Sequence, residues 1–315
     1  MEDEINIIRD NIKEFSSKNL DEKDIESKGI DNDLIEKLSS QGIINSNVSS
    51  KYGGLELDKK ASMAIIEEVS KYSPSVALYA YISGIYIKSI ENSEIEDISA
   101  DIASGKKTAA VSFSNKNDGD KIYDVFFIKG NDALAVINND LFYVSGTYEV
   151  RESLGFRGIK FGDLKVETKK KIGNSESFIK ALKYMDPELC AMSIGLMYGS
   201  MEKAFEYSKI RKLFNTKIKD FGPVAYTISD IMSKLDIIKY YLYGNGRIDF
   251  AKNFISSIII DVTRAAVNIH GGYGFFTDFG IEKYYRDSVT LKSLGFMNIK
   301  RELSDSIYGE KSGFI

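Results

Sequence analysis

The two side chains most often used for nucleophilic or proton-transfer chemistry occur once each in this 315-residue chain, as His270 and Cys190. His270 lies in VNIHGGYGFFTDFGIEKYYRD, beside Gly271, Gly272 and Gly274 and between an apolar helical pattern and a run of aromatic and charged residues. A single imidazole gives a histidine-based zinc site or a Ser-His-Asp triad little to draw on. Cys190 sits in the apolar pattern ELCAMSIGLM, which suits a buried small hydrophobe better than a thiolate nucleophile. As the only cysteine it excludes an intramolecular disulfide and any cysteine-cluster metal site. Glu188, in Asp186-Pro187-Glu188, could supply a carboxylate base, but acid-Pro-acid is also an ordinary helix start. Four further stretches stand out: YGGLELD with Gly53 and Gly54, GFRGIKFGDLKV from Gly155, RKLFNTKIKDFG from Arg211, and HGGYG itself. Taken singly they read as a loop feeding a helix, a turn entering a strand, a basic helix end favoured by the dipole, and a glycine C-cap.

The elements around these stretches follow from periodicity. From Ile5 to about Glu91 apolar residues recur at helical spacing, in IxxIRDNIKEF, DLIEKLSSQGI, ASMAIIEEVSKY and SVALYAYISGIYIKSI. Ser73-Pro74 supplies a cap and a first-turn proline. After Gly105 the chain turns to short segments rich in β-branched and aromatic residues, KTAAVSFS, KIYDVFFIKG, DALAVI, LFYVSG and FGDLKVET, separated by Gly, Asn and Asp turn signals. Helical patterns return from Asp186 to the C-terminus. The expected fold is α+β and mainly α: an N-terminal helical domain (1–105), a small antiparallel β middle domain (106–173) and a C-terminal four-helix bundle (174–315).

Composition sets limits on partners. The chain is 43% hydrophobic and 28% charged with a formal net charge of -4, which fits a globular protein and offers no basic face for nucleic acid or anionic membrane. MEDEINIIRDNIKEF is acidic and amphipathic rather than a secretory signal, and FISSIII is too short to span a bilayer. A cytoplasmic protein is expected.

In order and spacing, the four stretches together resemble the acyl-CoA dehydrogenase family of flavoproteins. YGGLELDKKASMAIIEEVSKYSPSVAL is similar to the family's entry loop, its helix with a Glu-Glu pair and the segment that follows. IASGKKTAAVSFS is similar to the approach to the first middle-domain strand, and LGFRGIKFGDLKVETKKKIG to the GxRG strand pair. RKLFNTKIKDF resembles RxxFGxxIxxFQ. The stretch around His270 resembles QIHGGxGxxxxxxxExxxRD, with Asn268 in place of the glutamine and with Glu282, Arg286 and Asp287 in register.

The resemblance runs from about residue 50 to 305 and implies an FAD-dependent oxidoreductase acting on the α,β bond of an acyl-CoA thioester. It implies assembly as a homotetramer or dimer, or as a hetero-oligomer with a related subunit. Arg211 would face the FAD pyrophosphate, Phe214 would line the cofactor, and Asn268, Gly271 and Gly272 would approach the FAD of a neighbouring subunit. The family's catalytic glutamate falls on Leu294 when Asn298-Ile299-Lys300-Arg301 is matched to the family's EIQR and Gly295 to its glycine. The position used by other members falls on Met185 and Asp186, with Glu188 slightly further on. Asn215 replaces a family glycine, Gly222 replaces a glutamine, Val111 to Asn115 stands where TEPxxGSD is usual, and the middle domain is shorter. The catalytic residue is therefore unassigned at this stage. A non-catalytic partner subunit or CoA-ester binding protein is the competing expectation, and a purely structural helical scaffold leaves Arg211 and the glycine cluster without a joint reason.

Overall fold

A computed structural model describes residues 2–296 and 298–308. Met297 and residues 309–315, all within the expected C-terminal domain, lie outside the described residues. The chain divides into two compact units, Met1–Glu188 and Leu189–Ile315.

The first unit opens with helices α1 (Glu2–Asn19), α2 (Glu22–Lys28), α3 (Asn32–Ser40), α4 (Lys59–Tyr72), α5 (Pro74–Ile90) and α6 (Ile98–Ala103). The starts of α2 to α5 carry the chemistry expected of caps. The Asp58 carboxylate accepts from the Ala61 N–H at the head of α4, and the Ser73 hydroxyl accepts from the Val76 N–H ahead of Pro74 in α5. Helix α5 is buried along nearly its whole length, consistent with a sequence that is apolar all round. Arg9 of α1 forms two hydrogen bonds to the buried Glu67 of α4, at 2.8 and 2.9 Å, so this charge enters the interior already paired.

Five strands follow: β1 (Val111–Ser112), β2 (Lys121–Phe127), β3 (Asp132–Ile137), β4 (Asp140–Arg151) and β5 (Lys160–Asn174). They close into a barrel in the order β1-β2-β5-β4-β3. Antiparallel pairing dominates, as expected, but closure comes from one parallel contact, Val111 against Leu134, that no local turn signal announces. Ile122, Val125, Phe127, Ala133, Ala135, Val144 and Leu164 fill the interior, and Phe127 stacks on Tyr148 at 3.7 Å. Helix α7 (Ser175–Tyr184) then packs on α5 and β4, its start capped by Asn174.

Helix α8 (Asp186–Ile210) begins with Pro187 in its first turn and runs on into the second unit. There it is followed by the hairpin β6 (Lys212–Leu213) and β7 (Thr216–Lys217), then α9 (Gly222–Tyr243), α10 (Ile248–His270), α11 (Glu282–Gly295) and α12 (Ile299–Tyr308). Tyr198 of α8 is hydrogen-bonded to Asp236 of α9, Tyr207 of α8 stacks on His270 of α10, and Thr263 of α10 meets Ser288 of α11 at 2.8 Å. Helices α8 to α11 thus form the four-helix bundle. Among the described residues no helix is long and apolar enough to cross a membrane.

Candidate functional site

In the second unit a cavity of about 470 Å³ forms where α8 ends, α10 ends and the β6–β7 hairpin folds back. Two backbone hydrogen bonds fix the hairpin's base. The Arg211 N–H donates to the Tyr207 carbonyl at 2.9 Å, and the Arg211 carbonyl accepts from the Ile218 N–H at 2.9 Å. At its tip Phe214 and Asn215 have φ of 48° and 62°, the left-handed pair that a two-residue type I′ turn demands. Asparagine adopts this region more readily than most residues, so Asn215 preserves the turn for which the family uses glycine.

On the other side α10 ends at His270, 4% exposed and stacked on Tyr207 with ring centroids 4.3 Å apart. Its Nδ1 lies 2.8 Å from the Ala266 carbonyl, which places the ring proton on Nδ1 to donate there. Burial holds the imidazole below its ordinary pKa; the Ala266 carbonyl opposes that shift and Lys203 adds to it. His270 is a neutral, anchored ring at a helix end.

The three glycines that follow differ physically. Gly271 has φ of 60°, which glycine adopts without strain. A Cβ on Gly274 would lie 2.4 Å from the Val267 carbonyl oxygen, so its glycine serves packing. Gly272 needs neither: a Cβ there meets no atom within 4 Å. Its missing side chain leaves the peptide open to the cavity, where an external group could reach the backbone.

The cavity brings together Arg211, Gly271 and Gly272, three of the five residues expected at a cofactor site. Phe214 stands 94% exposed at the hairpin tip, and Asn268 is exposed on α10; neither lines the cavity. The lining also includes Tyr207, Ile218, Tyr273 and Phe276, which the motif reading did not single out. Tyr207 was findable, because it lies one helical turn before Arg211. The Arg211 guanidinium sits 5.3 Å from the centre of the Tyr273 ring and has no carboxylate partner among the described residues. With no acidic side chain in the lining, the cavity is an electropositive pocket with aromatic walls.

The carboxylates weighed as bases are placed separately. Glu188 is fully buried in the first unit. It accepts hydrogen bonds from Lys59 Nζ at 2.9 and 3.2 Å, Ser62 Oγ at 2.7 Å and Asn47 Nδ2 at 3.1 Å. A carboxylate held by three donor side chains, one of them the Lys59 ammonium, is a well-formed structural ion pair. Met185, at the alternative base position, packs its side chain against Gly84, and its Sδ lies 3.2 Å from Asn47 Nδ2. In the second unit Leu294 is half-buried near the end of α11, and the next residue, Gly295, fits closely against Leu189. The stretch matched to the family's catalytic loop thus presents no carboxylate.

Comparison with known proteins agrees along most of this length. The chain matches the family models described as acyl-CoA dehydrogenase, N-terminal domain, over residues 2–93 and acyl-CoA dehydrogenase, C-terminal domain, over residues 176–295. It is 24% identical to the caffeyl-CoA reductase-Etf complex subunit CarC of Acetobacterium woodii, covering 87% of this chain and 88% of that protein. It is 21% identical to a 3-(aryl)acrylate reductase of Clostridium sporogenes, covering 81% and 84%. A glutaryl-CoA dehydrogenase from Mycobacterium smegmatis, solved in complex with FADH2, has the same fold, with a TM-score of 0.84 at 12% identity over 99% of this chain and 96% of that one. The two family models together span more than half of the chain on either side of the barrel, and the chain belongs to the acyl-CoA dehydrogenase family.

Proposed function

We propose that the protein is an FAD-dependent oxidoreductase acting on the α,β carbon–carbon bond of an acyl-CoA thioester. One observation carries the reading: Gly272, which its own fold does not require to be glycine, opens onto a cavity whose only charged wall is the unpaired Arg211. A guanidinium, exposed peptide N–H groups and aromatic walls fit the phosphate-bearing part of FAD. Arg211 would supply charge and a forked donor, Gly271 and Gly272 the close backbone approach, and Tyr273 and Phe276 an apolar flank. Phe214 and Asn268, which point away from the cavity, belong in this reading to a face completed by a second subunit. Phe214, Phe275 and Phe276 are 94%, 81% and 60% exposed, a concentration of aromatic surface that a cofactor or partner copy would cover.

When bound, the flavin supplies two-electron exchange with the α,β bond, with a hydride moving at the β-carbon and a proton at the α-carbon. Leu294 has no titratable atom, so the α-proton is handled by another group or by solvent. The two relatives named as reductases favour an enoyl or arylacrylyl thioester taken in the direction of reduction, and the CarC name favours an electron-transferring flavoprotein as partner in a hetero-oligomer. Three folding domains, 1–105, 106–173 and 174–315, belong to the same proposal, supported by the barrel's own apolar core. The competing reading, a non-catalytic partner subunit, rests on Leu294 and the shortened middle domain and is disfavoured by the reductase and dehydrogenase relatives.

The test is the visible spectrum of the purified protein, followed by anaerobic mixing with acyl-CoA and, after reduction, with enoyl-CoA esters. A flavin spectrum that at least one ester bleaches or restores is expected. Leu294→Glu should raise the rate with saturated esters by roughly a hundredfold or more, the range of a positioned general base. A bound flavin that no ester affects in either protein would overturn the catalytic assignment.

A further inference from the structure

We propose that the second unit carries a further anion site, separate from the cavity at Arg211 and suited to a small molecule with a phosphate group. A second cavity, of about 460 Å³, lies among α10, α11 and α12. Among the described residues its polar lining consists of Asn253, Ser256, Ser257, Lys292, Ser293 and Lys300: two ammonium groups, three hydroxyls, one amide and no carboxylate. Ser257 and Ser293 are satisfied by their own helices, donating to the carbonyls of Phe254 at 2.6 Å and Val289 at 3.2 Å. The side chains of Asn253, Ser256, Lys292 and Lys300 have no hydrogen bond or ion pair among the described residues.

Other lysines of the same unit are neutralised by carboxylates, although Lys212 and Lys217 on the hairpin have no such partner among the described residues. Lys209, Lys234 and Lys252 are held by Glu206, Asp230 and Glu302 at 2.7, 2.7 and 3.3 Å. Glu302, the acidic residue in the first turn of α12, is therefore already engaged on Lys252. Ser256 adds a hydroxyl to the same space: the residue is only 9% exposed and lines the cavity, and no side-chain hydrogen bond within the protein engages its oxygen among the described residues. A hydroxyl left to water in the cavity is available to a ligand at little desolvation cost.

Two cations, one unengaged hydroxyl and one amide around a single space match several acceptor oxygens carrying more than one negative charge. This favours a phosphate over a carboxylate, which offers two oxygens and one charge. The space exceeds the needs of a bare phosphate. Ile260, Val289 and Phe296 supply an apolar wall for the body of a larger molecule. The ligand class is thus an organic phosphate with an apolar or aromatic body, such as a nucleoside monophosphate.

The test uses the full chain saturated with FAD, so that the cavity at Arg211 is not free to accept the probe. Calorimetric titration with AMP, inorganic phosphate and adenosine should give binding in that order, AMP tightest. Replacing either ammonium, as Lys292→Ser or Lys300→Ser, should weaken AMP by about tenfold or more, and Ser256→Ala severalfold. Lys292→Arg should leave AMP affinity close to the parent value. AMP affinity unchanged in both Lys→Ser variants, adenosine binding as tightly as AMP, or no AMP binding at millimolar concentration would each overturn the proposal. Should the lysine variants fail to fold, Ser256→Ala removes one atom and decides the matter: unaltered AMP affinity there would exclude the site.

Discussion

Gly272 and Gly274 lie two residues apart in the same short turn, Gly271–Phe275, yet alanine at each should fail for opposite reasons. At Gly274 the new Cβ would lie 2.4 Å from the Val267 carbonyl oxygen and 3.0 Å from its side chain, so backbone must move. Overpacking of that kind costs about 1–3 kcal/mol. In a unit of this size it lowers the melting temperature by about 2–4 °C per kcal/mol. At Gly272 the Cβ meets nothing within 4 Å, and alanine there restricts the unfolded chain, so stability should hold or rise by about 0.4–1 kcal/mol. What alanine at 272 obstructs is the approach of a phosphate oxygen to the peptide. Loss of one charge-assisted hydrogen bond, about 1.5–3 kcal/mol, corresponds to about tenfold to a hundredfold weaker FAD. Thermal unfolding of the apoprotein and fluorescence titration with FAD measure the two effects separately. Gly272→Ala with normal FAD affinity, or with the thermal loss expected of Gly274→Ala, would refute the distinction drawn between them.

Lys59→Met leaves the carboxylate of Glu188 buried with only Ser62 and Asn47 to hold it, a loss of about 3 kcal/mol. Calorimetry should show a melting temperature lower by about 6–12 °C. Glu188→Gln should be milder, since Lys59 is 31% exposed and can turn to water; lost turnover with unchanged stability in that variant would instead mark Glu188 as the base. His270 titrates near 6.5 when unfolded and lower when folded, because burial disfavours its charged form. Below about pH 6.5 the unfolded chain therefore binds the extra proton, so this contribution is complete above that pH and is lost as pH falls toward the folded value. Urea midpoints at pH 7.5 and 5.5 should differ less in His270→Phe, which keeps a ring against Tyr207; an equal difference in both proteins would count against the assignment.

The long helices were legible because they bury a stripe and carry their own start signals, as with Ser73-Pro74 at α5 and Asp58 at α4. Shorter helices were not. Helix α6 has six residues and no side-chain cap, and α7 follows β5 directly, its Asn174 cap being the last residue of that strand. The strands could be read one by one, but the parallel contact of β1 with β3 joins segments that no hairpin connects. At the candidate site the motifs located Arg211, Gly271 and Gly272, whose roles depend on backbone shape and charge. They could not show that Phe214 and Asn268 point outward, or that Glu188 is held by Lys59, Ser62 and Asn47 from distant parts of the chain. Side-chain partnership across long separations has no periodicity for a sequence to display.

The two residues of β1 bear on a hazard unrelated to catalysis. Val111 and Ser112 pair with Phe126 and Val125 on one side, and Val111 with Leu134 on the other. Without them the remaining order β2-β5-β4-β3 would be an open sheet with two bare rims of peptide donors and acceptors, surfaces on which other chains can template. Closure engages both rims at once, at Val125 and Phe126 on β2 and at Leu134 on β3. A barrel this small therefore resists intermolecular strand addition through its topology as well as through the charge on its outer face, where Lys165, Lys169, Lys170 and Lys171 of β5 are exposed.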